Sequence, residues 1–367
     1  MALREFLSSI GEEVLDAEEE SFFLFSLDIP SNNLGFCDSR ASTVDLTIHG
    51  RDYTIHQSPT LLSSKREGGT TGAVLWKITP LFAEWISSTS NPFWRPPNHI
   101  LPSSATVIEL GCGISGLVAL TLAPLVGKYV ATDQEYVRKL FRQNIDENAA
   151  SSSAPISNRK KKGSSGSKKP SRSSKNKASN ADDNKNNNIK FIPLDWELDI
   201  PSNDVLHGED DNRTTTRTAT TTNGFDLLIS CDCIYNEALI PSLVRTCADI
   251  CALRASSSSL FTSRSNKDDQ EVEESGRSGV DEHEHENDDY DYDYDNDNQK
   301  QETTPTIAII AQQQRSPDVF ESWLRESMRF FRVWRLDTRV LATENQTGLG
   351  EGSGYVVHAL VLKGEVT

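Results

Sequence analysis

The stretch from Val107 to Gly116, VIELGCGISG, constrains the fold of this chain more than any other part of the sequence. Its apolar first half predicts a buried strand, and Gly111, Gly113 and Gly116 break that strand at the start of a helix. Glycine tolerates positive φ and lets a ligand approach the bare backbone, while the N-terminus of the following helix offers unpaired N–H groups. The pattern therefore predicts a binding site for a nucleotide-like cofactor at the end of a strand.

The glycine spacing alone leaves two cofactor classes open. It fits the G-x-G-x-x-G fingerprint of dinucleotide-binding enzymes, and Asp133 ends the next predicted strand, where an acid binds ribose hydroxyls. Glu109 precedes the first glycine, where it would repel a pyrophosphate and would suit a cationic or amine-bearing ligand. An NAD-dependent oxidoreductase therefore stays open on the spacing, although the sequence offers no convincing partner for hydride transfer.

Two later strand ends add aromatic and acidic side chains. The run LDWE places Trp196 after a short apolar stretch, where its ring suits packing against an adenine. A further apolar stretch ends in CDCIY, which carries Cys231, Asp232 and Tyr235. Because the carboxyl ends of parallel strands meet at one edge of a sheet, we expect these residues to converge with the glycine turn.

The motifs resemble those of the seven-strand, S-adenosylmethionine-dependent protein-lysine methyltransferases with a D-x-x-Y signature after the fourth strand. Within that family they are most similar to the fungal enzymes that modify ribosomal proteins. The resemblance rests on the stretch GAVLWKITPLFAEW at 72–85 and on residues 109–120, 129–148, 194–197 and 226–237. It covers most of the chain outside two long polar insertions and is weak near the amino terminus.

The resemblance implies a role for each strand-end residue. Glu109 would face the methionyl end of the cofactor and Asp133 its ribose, while Cys231 would contact it through its small size and backbone. The implied cofactor-binding set is Trp76, Glu109, Gly111, Cys112, Gly113, Asp133, Trp196 and Cys231. The implied catalytic pair is Asp232 and Tyr235.

Lysine chemistry explains why an acid and a phenol suit that pair. A lysine side chain has a pKa of about 10.4, so its lone pair is unavailable at neutral pH until the amine is desolvated and deprotonated. Asp232 would hold the amine in line with the sulfonium methyl group, and Tyr235 would line the channel and limit the angle of approach. The transfer is a direct displacement and needs no metal.

Each of these residues also has a purely structural explanation. Asp133 could cap the helix that begins near Glu135, and Asp232 could cap the helical region after Asn236. Tryptophan is generally a packing residue, and Tyr235 could be a core ring. The glycines could form a plain strand-to-helix turn.

Alternating strands and helices predict an α/β, Rossmann-like seven-strand sheet with helices on both faces and a closing antiparallel hairpin. The predicted strands are 106–110, 128–132, 190–194, 225–230, 306–311, 331–336 and 355–362, and the predicted helices are 115–126, 135–148, 237–253 and 318–330. In the predicted domain map, 1–104 is an N-terminal extension with a hairpin and a helix, and the core comprises 105–148, 189–255 and 305–367. A basic low-complexity insertion occupies 149–188 and an acidic one occupies 256–304.

The N-terminal extension carries weaker patterns. Helical spacing of apolar residues predicts a peripheral helix over 5–20, and alternation over 43–57 predicts a hairpin that covers the sheet edge. The amphipathic stretch 76–86 predicts a helix over the cofactor mouth, with Trp85 in the core.

The net charge of −17 argues against a protein that coats nucleic acid. The sequence has no apolar run of membrane-spanning length and no amino-terminal targeting pattern, so we expect an intracellular protein, cytoplasmic with a nuclear location open. The six cysteines show no zinc-ligand spacing, and we expect free thiols and no metal.

The resemblance also implies a protein substrate, which is a large-subunit ribosomal protein. We expect the enzyme itself to be a monomer. Related enzymes modify elongation factors or chaperones with nearly the same cofactor motifs, so the fold does not fix the acceptor. A non-enzymatic, cofactor-binding ribosome assembly factor is a further alternative.

Overall fold

The computed structural model describes residues 3–30, 34–66, 69–95, 100–151, 188–207, 224–264, 304–342 and 348–365. The basic insertion predicted at 149–188 and the acidic one predicted at 256–304 lie largely outside these residues. The described strands are β1 (Gly11–Val14), β2 (Thr43–Ile48), β3 (Arg51–His56), β4 (Thr106–Leu110), β5 (Lys128–Asp133), β6 (Ile189–Pro193), β7 (Leu227–Cys231), β8 (Ile307–Gln313), β9 (Phe331–Leu336) and β10 (Tyr355–Leu362).

The described α-helices follow the predicted alternation with the strands. They are α1 (Leu3–Ile10), α2 (Ala17–Ser26), α3 (Pro59–Leu62), α4 (Ile78–Ile86), α5 (Leu117–Leu122), α6 (Arg138–Ser151), α7 (Asn203–His207), α8 (Ile240–Arg264), α9 (Pro317–Phe330) and α10 (Thr338–Leu341). Short 3₁₀ turns at Ala123–Leu125, Glu135–Val137 and Glu237–Leu239 adjoin α5, α6 and α8, and a separate one lies at Thr71–Ala73. Helix α8 continues to Arg264, past the predicted boundary at residue 255.

The main sheet has eight strands in the order β1-β9-β10-β8-β7-β4-β5-β6. Strands β6, β5, β4, β7 and β8 run parallel, and β10 is antiparallel to both β8 and β9. The predicted α/β class and the antiparallel closing hairpin are thereby confirmed, with one strand, β1, added to the predicted seven.

Helices cover both faces of the sheet. One core packs the sheet against α1, α4, α5 and α6, and the other packs it against α2, α8 and α9. Neighbouring strand residues enter opposite cores: Val107 belongs to the first and Ile108 to the second, and both are fully buried. A strand that is buried on both faces reads as a continuous apolar run, which is why β4 is recognisable in the sequence.

The predicted helix over 5–20 is wrong. The chain forms α1, then β1, which pairs antiparallel with β9, and then α2. Asp16 accepts hydrogen bonds from the N–H groups of Glu18 and Glu19 and so begins a second helix. Ion pairs of Glu13 with Arg332 and of Glu12 with Arg335 fix the added strand to its neighbour.

The hairpin at 43–57 forms as predicted, but it does not cover the edge of the main sheet. It is a separate two-stranded sheet, β2 with β3, that lies against α6. The side-chain amides of Asn144 and Asn148 pair with the backbone of His56 and Thr54 on the free edge of β3. An edge whose donors and acceptors are paired in this way needs no further strand.

Helix α4 begins at Ile78, two residues later than predicted, and Trp85 lies in the core as expected, at 1% exposure. Its indole N–H donates to the carbonyl of Val340. None of the described helices combines the length and apolarity that a membrane crossing requires.

Substitution of two leucines tests how much burial in the core contributes to the free energy of unfolding. Leu120 is completely buried in α5, whereas Leu198 is 82% exposed. We expect Leu120→Ala to lower the free energy of unfolding by about 2–5 kcal/mol, since it removes buried methyl groups and leaves a cavity. Urea denaturation followed by circular dichroism measures this, and Leu198→Ala is the matched control with little expected change. Equal losses in the two variants would contradict the placement of α5.

Candidate active site

Neighbouring parallel strands end at the same edge of the sheet, and the predicted site residues lie there. Glu109 is in β4 just before the glycine turn, Asp133 ends β5, Trp196 follows β6, and Asp232 follows β7.

The glycine turn leaves no room for side chains. Gly111 and Gly113 have φ of +69° and +59°, so both occupy the left-handed region that favours glycine. A Cβ on Gly111 would lie 2.4 Å from Sγ of Cys233 and 3.4 Å from the Trp196 ring. A Cβ on Gly113 would lie 3.3 Å from the carbonyl oxygen of Gly72. The backbone is thus the surface that this part of the site presents.

Glu109 is almost wholly buried, with 2% of its surface exposed. The Tyr129 hydroxyl donates a hydrogen bond of 2.8 Å to its Oε2. Burial raises the pKa of the Glu109 carboxyl to about 7, although the Tyr129 bond opposes the shift. A buried acid with this pKa exchanges its proton near neutral pH and would stabilise a cationic ligand group most when ionised.

Asp133 ties the end of β5 to the glycine turn. Its Oδ2 accepts from the N–H of Gly113 at 2.8 Å, and its Oδ1 accepts from the N–H of Gln134 at 2.7 Å. Burial raises the pKa of Asp133 to about 6, against the lowering effect of these two bonds. Cys112 lies between the two glycines, buried, and its N–H donates to the carbonyl of Thr132.

Trp196 packs its ring against the glycine turn at Gly111. Its indole Nε1 is buried and has no hydrogen-bond partner among the described residues. A buried polar group without a partner is rare and costly, so its place beside a bare backbone turn fits a ligand acceptor. The turn and the indole together form a cradle suited to an adenine-bearing cofactor.

The turn at Thr71–Ala73 closes over the glycine turn from the N-terminal side. The carbonyl of Gly72 accepts from the N–H of Ile114 at 2.9 Å. The hydroxyl of Thr71 is hydrogen-bonded to the hydroxyl of Tyr235 at 2.9 Å. The backbone carbonyl of Thr71 accepts a hydrogen bond from Nε1 of Trp76 at 3.0 Å. This segment therefore joins the glycine turn to the end of β7.

Asp232 is engaged by a residue that the sequence reading did not include. Its two carboxylate oxygens accept from both terminal nitrogens of Arg315 at 2.6 Å, and Oδ1 also accepts from the N–H of Gln313. The Asp232 side chain is 3% exposed and that of Arg315 is 24% exposed. The guanidinium lies over the Trp76 ring, 4.8 Å from its centroid. Asp232 itself has φ of +63°, a conformation that aspartate tolerates better than most residues.

Tyr235 is 39% exposed, so it is not a core ring. Burial of much of its hydroxyl end raises the pKa of its phenol, which therefore stays protonated at neutral pH. A cavity of about 20 Å³ lies beside it, lined by Ile234, Gln312, Arg315 and Phe320 among others. A larger cavity of about 590 Å³ lies among charged side chains of α6 and contains none of the predicted site residues.

The structure thus brings the predicted residues into one connected group. Cys231 lies at the end of β7. Burial is the main cause that raises the pKa of its thiol, and the nearby charge of Glu109 adds to the rise. Asp232 does not cap the following helix, because Asn236 does so by accepting from the N–H of Ala238. Among the described residues, no group of histidine, cysteine, aspartate or glutamate has a metal-binding arrangement, and the six cysteines are free thiols.

Arg315 and Thr71 were missed in the sequence. Arg315 follows β8, so the strand-end rule that found Asp133 and Asp232 would have included it if applied to the fifth strand. Thr71 carried no signal, because a threonine in a polar turn is commonplace.

The buried Glu109 carboxyl should make stability depend on pH. Its pKa is raised from 4.5 to about 7 on folding, so the folded state holds the proton more tightly between those values. Stability contributed by this group is therefore greatest at low pH and falls as the pH rises towards 7. We expect Glu109→Gln to flatten this part of the profile, as measured by urea denaturation from pH 5 to 8. The exposed Glu135→Gln is the control, and an unchanged slope in Glu109→Gln would refute the assignment.

The glycine turn can be tested with two positive-φ glycines. Gly111 and Gly50 both lie in the left-handed region, but a Cβ on Gly50 would meet nothing within 4 Å. Alanine at either position costs about 1 kcal/mol of backbone strain. We expect Gly111→Ala alone to weaken binding of S-adenosylhomocysteine more than tenfold in calorimetric titrations, because its new methyl group displaces Cys233 or the Trp196 ring. Equal affinities for Gly111→Ala and Gly50→Ala would exclude the turn from the site.

Comparison with known proteins agrees with the strand-end geometry. A family model described as lysine methyltransferase matches residues 55–160. The Ribosomal lysine N-methyltransferase 5 of Zygosaccharomyces rouxii is 29% identical over 205 residues, which cover 53% of this chain and 59% of that protein. The protein of the same name from Vanderwaltozyma polyspora is 27% identical over 284 residues, covering 65% and 82%.

A further relative carries a different name. The Diaminohydroxyphosphoribosylamino-pyrimidine deaminase of Schizosaccharomyces pombe is 37% identical over 147 residues, which cover 40% of this chain and 34% of that protein. Zinc deaminases of nucleobases use a P-C-x-x-C stretch, and this sequence has none. The chain thus spans about a third to three fifths of the first relatives it matches.

Comparison of shapes adds little. The solved structure of the mitomycin 7-O-methyltransferase MmcR aligns with 78% of this chain and 56% of that one, at 9% identity and a TM-score of 0.34. A likeness at that level carries no argument. The sequence match, on a sheet whose strand ends hold the predicted residues, decides against the oxidoreductase alternative. Residues 55–160 are therefore similar to the lysine methyltransferase family, and these comparisons support S-adenosylmethionine as the cofactor.

Proposed function

We propose that this protein is an S-adenosylmethionine-dependent protein-lysine N-methyltransferase that modifies a lysine of a large-subunit ribosomal protein. The observation that carries the proposal is the convergence of a bare glycine turn with the acid and phenol of the D-x-x-Y motif. Thr71 and Trp76 connect the two groups. A cofactor end and an acceptor end thus lie at one edge of one sheet.

The cofactor end presents a glycine turn, an aromatic ring, the buried acid Glu109 and the partly buried acid Asp133. Gly111 and Gly113 present backbone at positive φ, and Trp196 offers its ring and an indole N–H that has no partner among the described residues. Glu109 suits an amine-bearing end, and Asp133 suits ribose hydroxyls. Cys112, Cys231 and Trp76 complete the proposed binding set. When bound, S-adenosylmethionine supplies the methyl group.

The acceptor end is proposed to lie at Asp232 and Tyr235. The Tyr235 phenol is protonated at neutral pH and is held by Thr71, so its ring can limit the angle at which an amine enters. Asp232 fixes the other side of the entrance through its pair with Arg315. Holding a neutral amine in line with the methyl group is the main task of such a site, because the displacement itself needs no further group.

The substrate class is supported by the relatives rather than by the site. The chain aligns with 82% of the length of one protein named for ribosomal lysine methylation. The net charge of −17 favours approach to a basic protein surface. We propose that the protein acts as a monomer and in the cytoplasm.

The test uses ribosomes from cells that lack this protein. Incubation with the purified full-length chain and labelled S-adenosylmethionine, followed by mass spectrometry, should place the label on a lysine of one large-subunit protein. Tyr235→Phe keeps the ring and should retain most activity, whereas Tyr235→Ala should lower it by about 100-fold, since loss of positioning acts on the rate. S-adenosylhomocysteine binding, measured in both variants, separates positioning from cofactor affinity.

Two other results would redirect the proposal. Cofactor binding without label on ribosomes would overturn the ribosomal substrate and favour an elongation factor or chaperone. Cofactor binding with no transfer to any protein of a whole-cell extract would overturn the enzymatic reading and favour an assembly factor.

A further inference from the structure

The acid of the D-x-x-Y motif is not available as a lone negative charge. Both carboxylate oxygens of Asp232 are held by Arg315 at 2.6 Å, and the Asp232 side chain is only 3% exposed. Bidentate pairs of this kind are strong and geometrically specific. An ammonium group arriving at Asp232 would meet a guanidinium already in place, so simple attraction to a carboxylate does not describe this site.

The guanidinium is itself fixed on several sides. It lies over the Trp76 ring at 4.8 Å and donates to Oε1 of Gln313 at 3.1 Å. Gln313 in turn accepts from the N–H of Gly35, which ties this group to the N-terminal segment. Arg315 is therefore held by contacts on two elements besides Asp232, and its charge has a fixed position beside the acceptor end.

We propose that Arg315 keeps the acceptor end of the site electrically neutral, so that the substrate lysine is bound as the amine rather than as the ammonium ion. Arg315 is thus a positioning residue that acts through Asp232, and the inference rests on the proposed lysine methyltransferase activity. The amine gives its proton to solvent before it enters. The N–C bond then forms as the S–C bond breaks, and the electron pair of that bond stays on sulfur.

Electrostatics gives the direction of the effect. A site with net charge near zero does not favour the ammonium form, whereas an unpaired Asp232 would stabilise it and raise the pKa of the bound lysine. A unit charge about 6 Å away at an effective dielectric of about 20 corresponds to a shift of about one to two pH units. The rate at saturating substrate reports the protonation state within the complex, so it should show this shift.

The cysteines and tyrosines around the pair do not titrate between pH 6.5 and 9.5. Burial raises the pKa of Cys37 to about 11 and that of Tyr355 to about 12, and it raises the pKa values of Cys231 and Tyr235 as well. The charge of Lys77 opposes the rise at Cys37. On the cofactor side, Asp133 and Glu109 titrate at about 6 and about 7, in every variant alike.

The experiment compares four full-length proteins. The unaltered protein, Arg315→Gln, Arg315→Lys and Asp232→Asn are assayed with labelled S-adenosylmethionine on ribosomes from cells lacking this protein, from pH 6.5 to 9.5. Asparagine tolerates the positive φ at position 232, and lysine keeps the charge at 315, so these variants preserve the fold. S-adenosylhomocysteine affinity confirms an intact cofactor end in each.

Opposite shifts are expected from the two neutral substitutions. Arg315→Gln leaves an unpaired carboxylate. In a plot of kcat against pH, the acid limb should therefore move to a pH about one unit higher or more, while KM falls. Asp232→Asn leaves an unpaired guanidinium, so the limb should move down while KM rises. Arg315→Lys should restore the limb of the unaltered protein even if its rate is lower.

Three results would overturn the inference. Equal losses of kcat in Arg315→Gln and Arg315→Lys, with unmoved limbs, would make the pair purely structural. A lower KM in Arg315→Gln with unchanged kcat and an unmoved limb would make Arg315 a plug that substrate displaces. If the unaltered protein transfers no methyl group to ribosomes or to any protein of a whole-cell extract, the proposed function fails and the inference falls with it, which is a result distinct from an active protein with unmoved limbs.

Discussion

The candidate site depends on one constraint, the parallel course of five neighbouring strands. Strands β6, β5, β4, β7 and β8 all end at the same edge of the sheet, so residues far apart in sequence are delivered to one place. Glu109, Asp133 and Asp232 each sit at such an end. The helices on both faces bury the strands and leave this edge as the place where polar groups can gather.

Residues at that edge have a buried carboxyl group and a strained backbone conformation, both of which normally cost stability. Glu109 is nearly inaccessible yet carries a carboxyl group, and burial raises its pKa to about 7. Asp232 adopts positive φ, and its carboxylate is held by Arg315. Strain and buried charge of this kind persist when surrounding contacts determine them, and they are concentrated at functional sites. Here the contacts come from β8 and from the segment around Trp76.

The strands of the main sheet from β4 onwards were predictable to within two residues, because their apolar runs have clear ends. Strands β4, β9 and β10 occupy the predicted ranges. The amino terminus was not predictable in the same way, since β1 contains Gly11, Glu12 and Glu13, which carry no strand signal. Its conformation is set by pairing with β9, a contact more than three hundred residues away in sequence. Local pattern cannot report such a partner.

Site residues were predictable where the residue type itself indicates a role. They were not predictable where the role depends on which other residue the side chain contacts. Gly111 and Gly113 stand out because only glycine suits that turn. Arg315 is an ordinary residue in the sequence, and its importance appears only when both of its terminal nitrogens meet Asp232. Because of this pairing, Asp232 is one half of a neutral ion pair rather than an unpaired carboxylate.

We propose that these strand ends form a single methyl-donor site. Hydrogen–deuterium exchange of the full-length protein with and without S-adenosylhomocysteine tests it most directly, because backbone protection reports where a ligand contacts the chain. We expect slower exchange at 109–116, at 131–136, at 71–76 and at 194–197, with little change in the hairpin at 43–56. Protection confined to other segments, or no protection at saturating ligand, would contradict it.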